Sequence, residues 1–308
     1  DDFDASEYER ATMRFAVNMT ASSNAGQSKA GQSKAEHIAR FGTYGAWGWF
    51  KQFSPDEARQ IEELGYGTIW LGGSPENLHP IRTILEATEN ITVATGIVNI
   101  WNSIPYVIAG EFHALERDFP GRFYLGIGAG HPEATSEYTT PFKAVGRYLD
   151  ALDGKQVPPN RRLLAALGPR MLRMSAERSL GAHPYLTTPE HTAQAREILG
   201  PDALLAPEHK VVLTEDAQEA RAVGRPPVDK PYLHLRNYTN NLKRLGYTDE
   251  DIADGGSDAL IDDLVAHGTA AQVKARLDEH LAAGANHVAI QVLGSKTPVE
   301  QLAAIITA

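Results

Sequence analysis

Two short apolar runs, Ala94-Thr-Gly-Ile-Val-Asn99 and Arg122-Phe-Tyr-Leu-Gly-Ile-Gly-Ala-Gly-His131, constrain this chain more than any other feature. Each ends in glycines or polar residues rather than in a hairpin turn. Between them, Ile104 to Asp118 is of helix length, with apolar residues at Val107, Ile108, Phe112 and Leu115. Strand, crossover helix and strand make the repeating unit of a parallel sheet. Ligands bind at the carboxyl ends of such strands, and glycines there let backbone approach a flat molecule closely.

The same alternation continues from Arg40 onward. It predicts strands over Phe41–Ala46, Tyr66–Leu71, Ile91–Val98, Phe123–Ile127, Leu163–Leu167, Ala182–Leu186, His209–Leu213 and His287–Leu293. Ser54-Pro-Asp-Glu57 opens the first helix of the series, with Ser54 as N-cap and Glu57 three residues later. Further helices are predicted over Pro80–Thr88, Glu137–Leu152 and Pro169–Leu180, from Thr188 onward and from Pro298 onward. Asp216 to Ala283 reads as one long helical stretch with a Gly/Asp-rich break. Eight strands in this alternation predict a (β/α)₈ TIM barrel over residues 41–308. A doubly wound sheet ranks second, since no GxGxxG opens the first unit.

Residues 1–40 read as an N-terminal extension. Ser6 to Met19 suits an amphipathic helix, and Gly-Gln-Ser-Lys-Ala then occurs twice in tandem at Gly26–Ala30 and Gly31–Ala35, a linker-like composition. A neighbouring subunit is one surface for the extension to lie on, and a homodimer is the expected assembly. The chain has 308 residues, 42% hydrophobic and 22% charged, enough for a sizeable core. Its net charge of −10 argues against nucleic acid or an anionic membrane as partner. No apolar run reaches membrane-spanning length, and the acidic start lacks the pattern of a signal peptide. The absence of cysteine excludes disulfides and thiolate chemistry, and a cytoplasmic protein acting on a small molecule is the simplest expectation. No metal cluster stands out, since His183 and His191 lie across a strand–helix junction, and no Gly-x-Ser-x-Gly elbow marks a hydrolase.

Several motifs, in order over Phe41 to Ile306, resemble the bacterial luciferase-like flavin and deazaflavin oxidoreductases. They are Gly65-Tyr-Gly-Thr-Ile-Trp70, Ala94-Thr-Gly-Ile97, Phe119-Pro-Gly-Arg-Phe-Tyr-Leu-Gly-Ile-Gly-Ala-Gly-His131, Tyr148-Leu-Asp-Ala-Leu152, Leu167-Gly-Pro-Arg-Met171, Gly181-Ala-His-Pro-Tyr185 and Gly284-Ala-Asn-His-Val-Ala-Ile-Gln291. They are most similar to the actinobacterial branch that uses coenzyme F420. The resemblance implies a luciferase-like barrel that exchanges hydride between F420 and an organic substrate. An FMN-dependent monooxygenase on the same fold is the first alternative, and a barrel that binds ligand without turnover is the second.

The resemblance also assigns sites. It implies a bulge with a cis peptide at Gly96–Ile97, bowed against one face of the cofactor ring; the other reading is a glycine that merely relieves crowding in a buried strand. It implies a cofactor phosphate near Gly168-Pro169-Arg170-Met171. A Gly-Pro between strand and helix exposes backbone N–H groups to an anion, and Arg170 could add a charge contact, although Gly-Pro can also be only a turn. Gly128 and His131 close the fourth strand, where a histidine above a redox ring could relay a proton, contact the cofactor or cap the loop. His183 and Tyr185 end the sixth strand, while Trp47, Trp49, Trp101 and Asn102 follow strands one and three and are expected, with Tyr44, at the pocket mouth. His113, His280 and His287 are assigned instead to helix faces and strand starts. One departure is plain: Leu71-Gly-Gly-Ser-Pro75 follows strand two, where several relatives of the deazaflavin type carry a catalytic histidine.

Overall fold

A computed structural model of the chain describes residues 32–75, 77–130 and 140–308. The segment predicted as an N-terminal helix, Ser6–Met19, and the candidate proton relay His131 both lie outside the described residues.

The described chain runs from Lys34 as one compact unit of alternating strands and helices. The strands are β1 Tyr44–Trp49, β2 Thr68–Gly72, β3 Thr92–Thr95, β4 Val98–Asn99, β5 Phe123–Gly128, β6 Arg162–Leu164, β7 Gly181–Ala182, β8 Leu204–Leu205, β9 Glu208–Val212, β10 Val265–His267 and β11 Val288–Val292. The helices are α1 Lys34–Ala39, α2 Pro55–Glu63, α3 His79–Ala87, α4 Pro105–Asp118, α5 Pro141–Gly154, α6 Pro169–Arg178 and α7 Pro189–Leu199. They continue as α8 Ala217–Asp229, α9 Arg236–Arg244, α10 Asp249–Ile252, α11 Asp258–Leu264, α12 Ala270–Ala282 and α13 Pro298–Ile306.

All strand pairings are parallel, in the order β10-β9-β11-β1-β2-β3-β5-β6-β7-β8. The ring closes through the chain itself. β8 pairs with β7, β9 pairs with β11, and only Ala206 and Pro207 separate β8 from β9. Across this join Ala206 N–H donates to Ala182 O at 3.0 Å and Glu208 N–H to Pro184 O at 2.9 Å. Counting β3 with β4 and β8 with β9 as single interrupted strands, the ring is the eight-stranded (β/α)₈ barrel, and β10 is an addition beside β9.

Local chemistry explains the elements. Ser54 caps α2 with a reciprocal box: Glu57 N–H donates to Ser54 Oγ, and Ser54 N–H to Glu57 Oε2 at 2.8 Å. Such a cap is worth about 1 kcal/mol. β2 and β5 are buried along their whole length, because helices cover one face and the barrel interior the other. Outward residues such as Ile69, Leu125 and Ile290 join the helices in the main apolar core, whereas Trp47, Trp70, Tyr124 and Leu163 fill the barrel. Each large apolar side chain buried this way contributes about 1.5–3 kcal/mol.

Several boundaries differ from the sequence reading. β1 starts at Tyr44 rather than Phe41, which moves Trp47 and Trp49 from a following loop into the strand. The third strand breaks into β3 and β4, with Gly96 and Ile97 between them and their peptide bond cis. Thr95 holds the break: its hydroxyl donates to Gly126 O and accepts from Gly126 N–H, both at 2.8 Å. Gly126 must be glycine, since a Cβ there would stand 1.9 Å from Thr95 O. The stretch Asp216–Ala283 is not helical throughout; Val265–His267 leaves it as a strand because Lys210–Val212 offers free ladder positions.

Candidate functional site

A cavity of about 560 Å³ opens at the carboxyl ends of the strands. That volume lies within the range of small-molecule and cofactor pockets. Four walls define it, and each comes from a different part of the chain.

The floor is aromatic. The Trp47 indole lies where Cβ atoms on Gly72 and Gly96 would otherwise stand: a Cβ on Gly72 would fall 2.1 Å from Trp47 Cζ2, and one on Gly96 2.8 Å from Trp47 Nε1. Beside it, His183 stacks on Trp70 with ring centroids 4.0 Å apart and planes 11° from parallel. His183 Nδ1 lies 2.7 Å from Ala206 O, which fixes the tautomer with hydrogen on Nδ1 and a bare Nε2. Burial pulls the His183 pKa down to about 4, against a smaller opposing effect of the Ala206 bond. His183 is therefore neutral near pH 7. Trp47 Nε1 and His183 Nε2 are both buried without a hydrogen-bond partner among the described residues.

One side wall is the interruption at Gly96–Ile97. Ser74 donates to Ile97 O at 3.0 Å, tying the loop after β2 to the bulge. Gly128 and Ala165 back Ile97: a Cβ on Gly128 would meet Ile97 Cδ1 at 2.9 Å and Ala165 Cβ at 3.0 Å. The opposite side is the start of α6. Gly168 occupies its N-cap position, no side chain caps it, and Pro169 begins the first turn, so backbone dipoles point into the cavity.

The roof is α9 with the turn before it. Asn237, Asn240 and Arg244 repeat at helical spacing along one face and line the cavity with Tyr232 and Tyr238. Arg244 Nη2 lies 3.7 Å from the point a Cβ on Gly168 would occupy. Arg244 also donates to Asn241 Oδ1 at 3.0 Å, which steadies the guanidinium beside the α6 terminus.

The residues singled out by sequence divide cleanly. Gly96, Ile97, Gly168, Met171, His183, Trp47, Asn102 and Tyr185 line the cavity, together with Trp49. Gly128 and Pro169 stand one step behind the wall. Arg170 does not face the cavity; its guanidinium lies 4.3 Å from the Phe142 ring centroid, and Arg244 takes the place beside Gly168. Tyr44 is also elsewhere. As the first residue of β1 it lies far from the carboxyl end, and its hydroxyl donates to Asp278 on α12. Trp101 packs half-buried against the main core rather than lining the mouth. His113 and His280 are on α4 and α12, and His287 precedes β11, where its Nε2 accepts from Trp70 Nε1 at 2.9 Å. Ser74, Tyr232, Asn237, Asn240 and Arg244 escaped the sequence reading; only the i, i+3, i+7 spacing of the last three could have flagged them.

Residues 52–144 match the family model of the luciferase-like monooxygenases. A curated relative, 4-hydroxyprotoasukamycin monooxygenase of Streptomyces nodosus subsp. asukaensis, is 32% identical over 83 residues. That match spans 24% of this chain and only 22% of the relative. Among solved structures, an F420-dependent secondary alcohol dehydrogenase bound to an F420–acetone adduct superposes with a TM-score of 0.65 at 13% identity, covering 86% of this chain and 98% of that one. The FMN-bound oxygenating constituent of 3,6-diketocamphane monooxygenase from Pseudomonas putida gives 0.62 at 13% identity, with 86% and 96% covered. The F420-dependent tetrahydromethanopterin reductase of Methanopyrus kandleri gives 0.60 at 16%, again with 86% and 96% covered. At these identities the likeness is one of fold: an α/β chain whose parallel sheet curls into a luciferase-like barrel.

Proposed function

We propose that this chain is an oxidoreductase that moves a hydride between coenzyme F420 and a small organic substrate. The observation that carries the reading is a single cavity bounded by the Gly96–Ile97 bulge and by the uncapped start of α6 with Arg244 beside it. A planar ring and an anionic tail need those two surfaces together. The fit rests on how the walls are built: Gly72 and Gly96 make room for the Trp47 indole, and Gly128 makes room for Ile97 and Ala165.

In this reading, Ile97 and Gly96 support one face of the ring, and Trp47 closes the floor beneath it. The backbone N–H groups of Gly168 and Arg170 at the start of α6 and the Arg244 guanidinium hold the phosphate, while Asn237 and Asn240 extend the polar wall for the tail that F420 carries beyond it. The bound deazaflavin would supply a carbon that accepts or delivers hydride. His131, on the segment after β5, is our candidate for the proton that accompanies it. Trp47, Trp49 and Tyr185 exclude water from the chamber.

A second reading is favoured by one finding, the match to monooxygenases over residues 52–144. On that reading the cavity binds FMN. Titration with each oxidised cofactor, followed by fluorescence quenching, separates the two. F420 is expected to bind at least tenfold tighter than FMN, about 1.4 kcal/mol. The reverse order would turn the assignment to FMN, and no binding of either would remove both. Gly168→Asp should weaken binding of the preferred cofactor by well over tenfold, because it sets a carboxylate against the phosphate. Unchanged affinity in a folded variant would sink the phosphate assignment.

A further inference from the structure

We infer that the half-exposed Trp49 is a stacking platform for an uncharged aromatic ring of the substrate, and that it gives the chamber a preference for aromatic over saturated molecules of one size. The inference rests on the reading of this cavity as the substrate chamber and names the class of molecule that enters it.

Trp49 combines two properties found together nowhere else among the described residues. Four large apolar side chains stand exposed, Trp49, Ile104, Tyr106 and Val107, and of these Trp49 alone lines the cavity, at 50% exposure. The indole is nevertheless held in place. A Cβ on Gly73 would fall 2.7 Å from Trp49 Cε3, so the benzo part of the indole lies against the Gly73 backbone. The ring also meets Trp47 edge to face, with centroids 5.6 Å apart and planes at 76°. Its main-chain N–H donates to Gln52 Oε1 at 3.1 Å. A fixed indole with half of its surface open offers a flat ligand large contact area at little ordering cost.

Trp49 is also the exposed end of an aromatic series. Trp47 follows it, then Tyr185 at 5.4 Å, Tyr232 at 5.3 Å and Tyr238 at 4.8 Å, and all five line the cavity. Successive planes turn by 44–76°, so the series bends instead of lying flat. Aromatic pairs gain from tilted and edge-to-face approach beyond the area they bury, and an aliphatic ring gains only the area.

Charge narrows the class. The chain carries 39 Asp and Glu residues against 29 Lys and Arg. Yet among the described residues no carboxylate lines the cavity, and Arg244 is its one charged side chain. In the reading above, the cofactor phosphate takes that guanidinium. Lys210 Nζ stands 3.9 Å from the Tyr185 centroid, so this ring already carries a cation on one face. A cationic ligand would leave water here and find no counter-charge. An uncharged ring meets no such penalty.

The test uses benzyl alcohol, cyclohexylmethanol and benzylammonium, titrated calorimetrically into F420-loaded and cofactor-free protein. Benzyl alcohol is expected to bind the loaded protein about fivefold tighter than cyclohexylmethanol, the scale of one aromatic pair. Benzylammonium should bind several-fold more weakly than benzyl alcohol. Trp49→Leu should bring the two alcohols together, and Trp49→Phe should keep most of the difference. No binding of either alcohol, equal binding of the two to the parent, or a preference that survives Trp49→Leu overturns the inference. Benzylammonium bound as tightly as benzyl alcohol overturns it too. Benzyl alcohol bound only without F420 would give the indole to the cofactor ring, and a lower sedimenting mass of Trp49→Leu would give it to a second copy; either overturns the inference. F420 affinity, followed separately by quenching, tests the cofactor reading. If F420 fails to bind the parent, that reading falls, while the two alcohols still report on Trp49 in the cofactor-free protein.

Discussion

Two buried polar clusters share the interior of this barrel, and they are built oppositely. At the floor, Trp47 Nε1 and His183 Nε2 have no partners among the described residues. Behind Tyr185, Lys210 Nζ lies 2.9 Å from Glu208 Oε1 and 3.0 Å from Gln291 Oε1, and the Tyr185 ring centroid is 3.9 Å away. Gln291 Oε1 also accepts from Tyr185 Oη at 2.9 Å, and Glu208 Oε2 from Leu186 N–H at 3.0 Å. Burial lowers the Lys210 pKa while the Glu208 carboxylate pulls it back up. This cluster closes on itself and needs nothing from outside. The floor pair does not, although both regions are equally dry. The two clusters therefore differ in how completely their polar atoms are paired, not in their burial.

That contrast can be broken by mutation. Glu208→Ala strands the Lys210 ammonium without its carboxylate, and should cost about 3–5 kcal/mol in denaturant unfolding. A cost below about 1 kcal/mol would mean that the cluster does not hold the barrel.

The pH dependence comes next. His183 and His287 both titrate at about 4 in the folded chain, lowered first by burial, against 6.5 when exposed. Between those values the unfolded chain binds more protons. Their contribution to stability is therefore complete above pH 6.5 and is lost as pH falls toward 4. Thermal melts across this window should show falling stability, with a shallower fall in His183→Leu. An unchanged profile in that variant would show that His183 is not buried as a neutral ring.

The smallest effect is expected from His183→Leu at neutral pH. Removing an unpaired nitrogen offsets loss of the Ala206 bond, so stability should stay within about 1 kcal/mol of the parent. A cost near that of Glu208→Ala would put the floor pair among the structural contacts and erase the distinction.

The sequence disclosed these regions unequally. Strand–helix alternation, the Ser54–Glu57 box and the glycines at 96, 126 and 128 are local signals, and they located the cavity wall at Gly96–Ile97. Trp47 was visible as an aromatic near a strand end, but a three-residue shift of β1 brought Tyr44 along with it in error. The roof was not legible. Asn237, Asn240 and Arg244 reach the cavity only because α8 and the turn after it fold back over the barrel, and no local pattern encodes that return. Arg170 misled for the same reason: its place beside Gly168 in sequence says nothing of the Phe142 ring that draws it away. No helix among the described residues is long and apolar enough to cross a membrane, in keeping with the lack of a long apolar run.

The most direct measurement is a crystal structure of the protein grown with oxidised F420. The ring should lie against Gly96–Ile97 above Trp47, with its phosphate at the N-terminus of α6 beside Arg244. A ring bound anywhere outside this cavity, or a phosphate held by other residues, would contradict the assignment of the chamber.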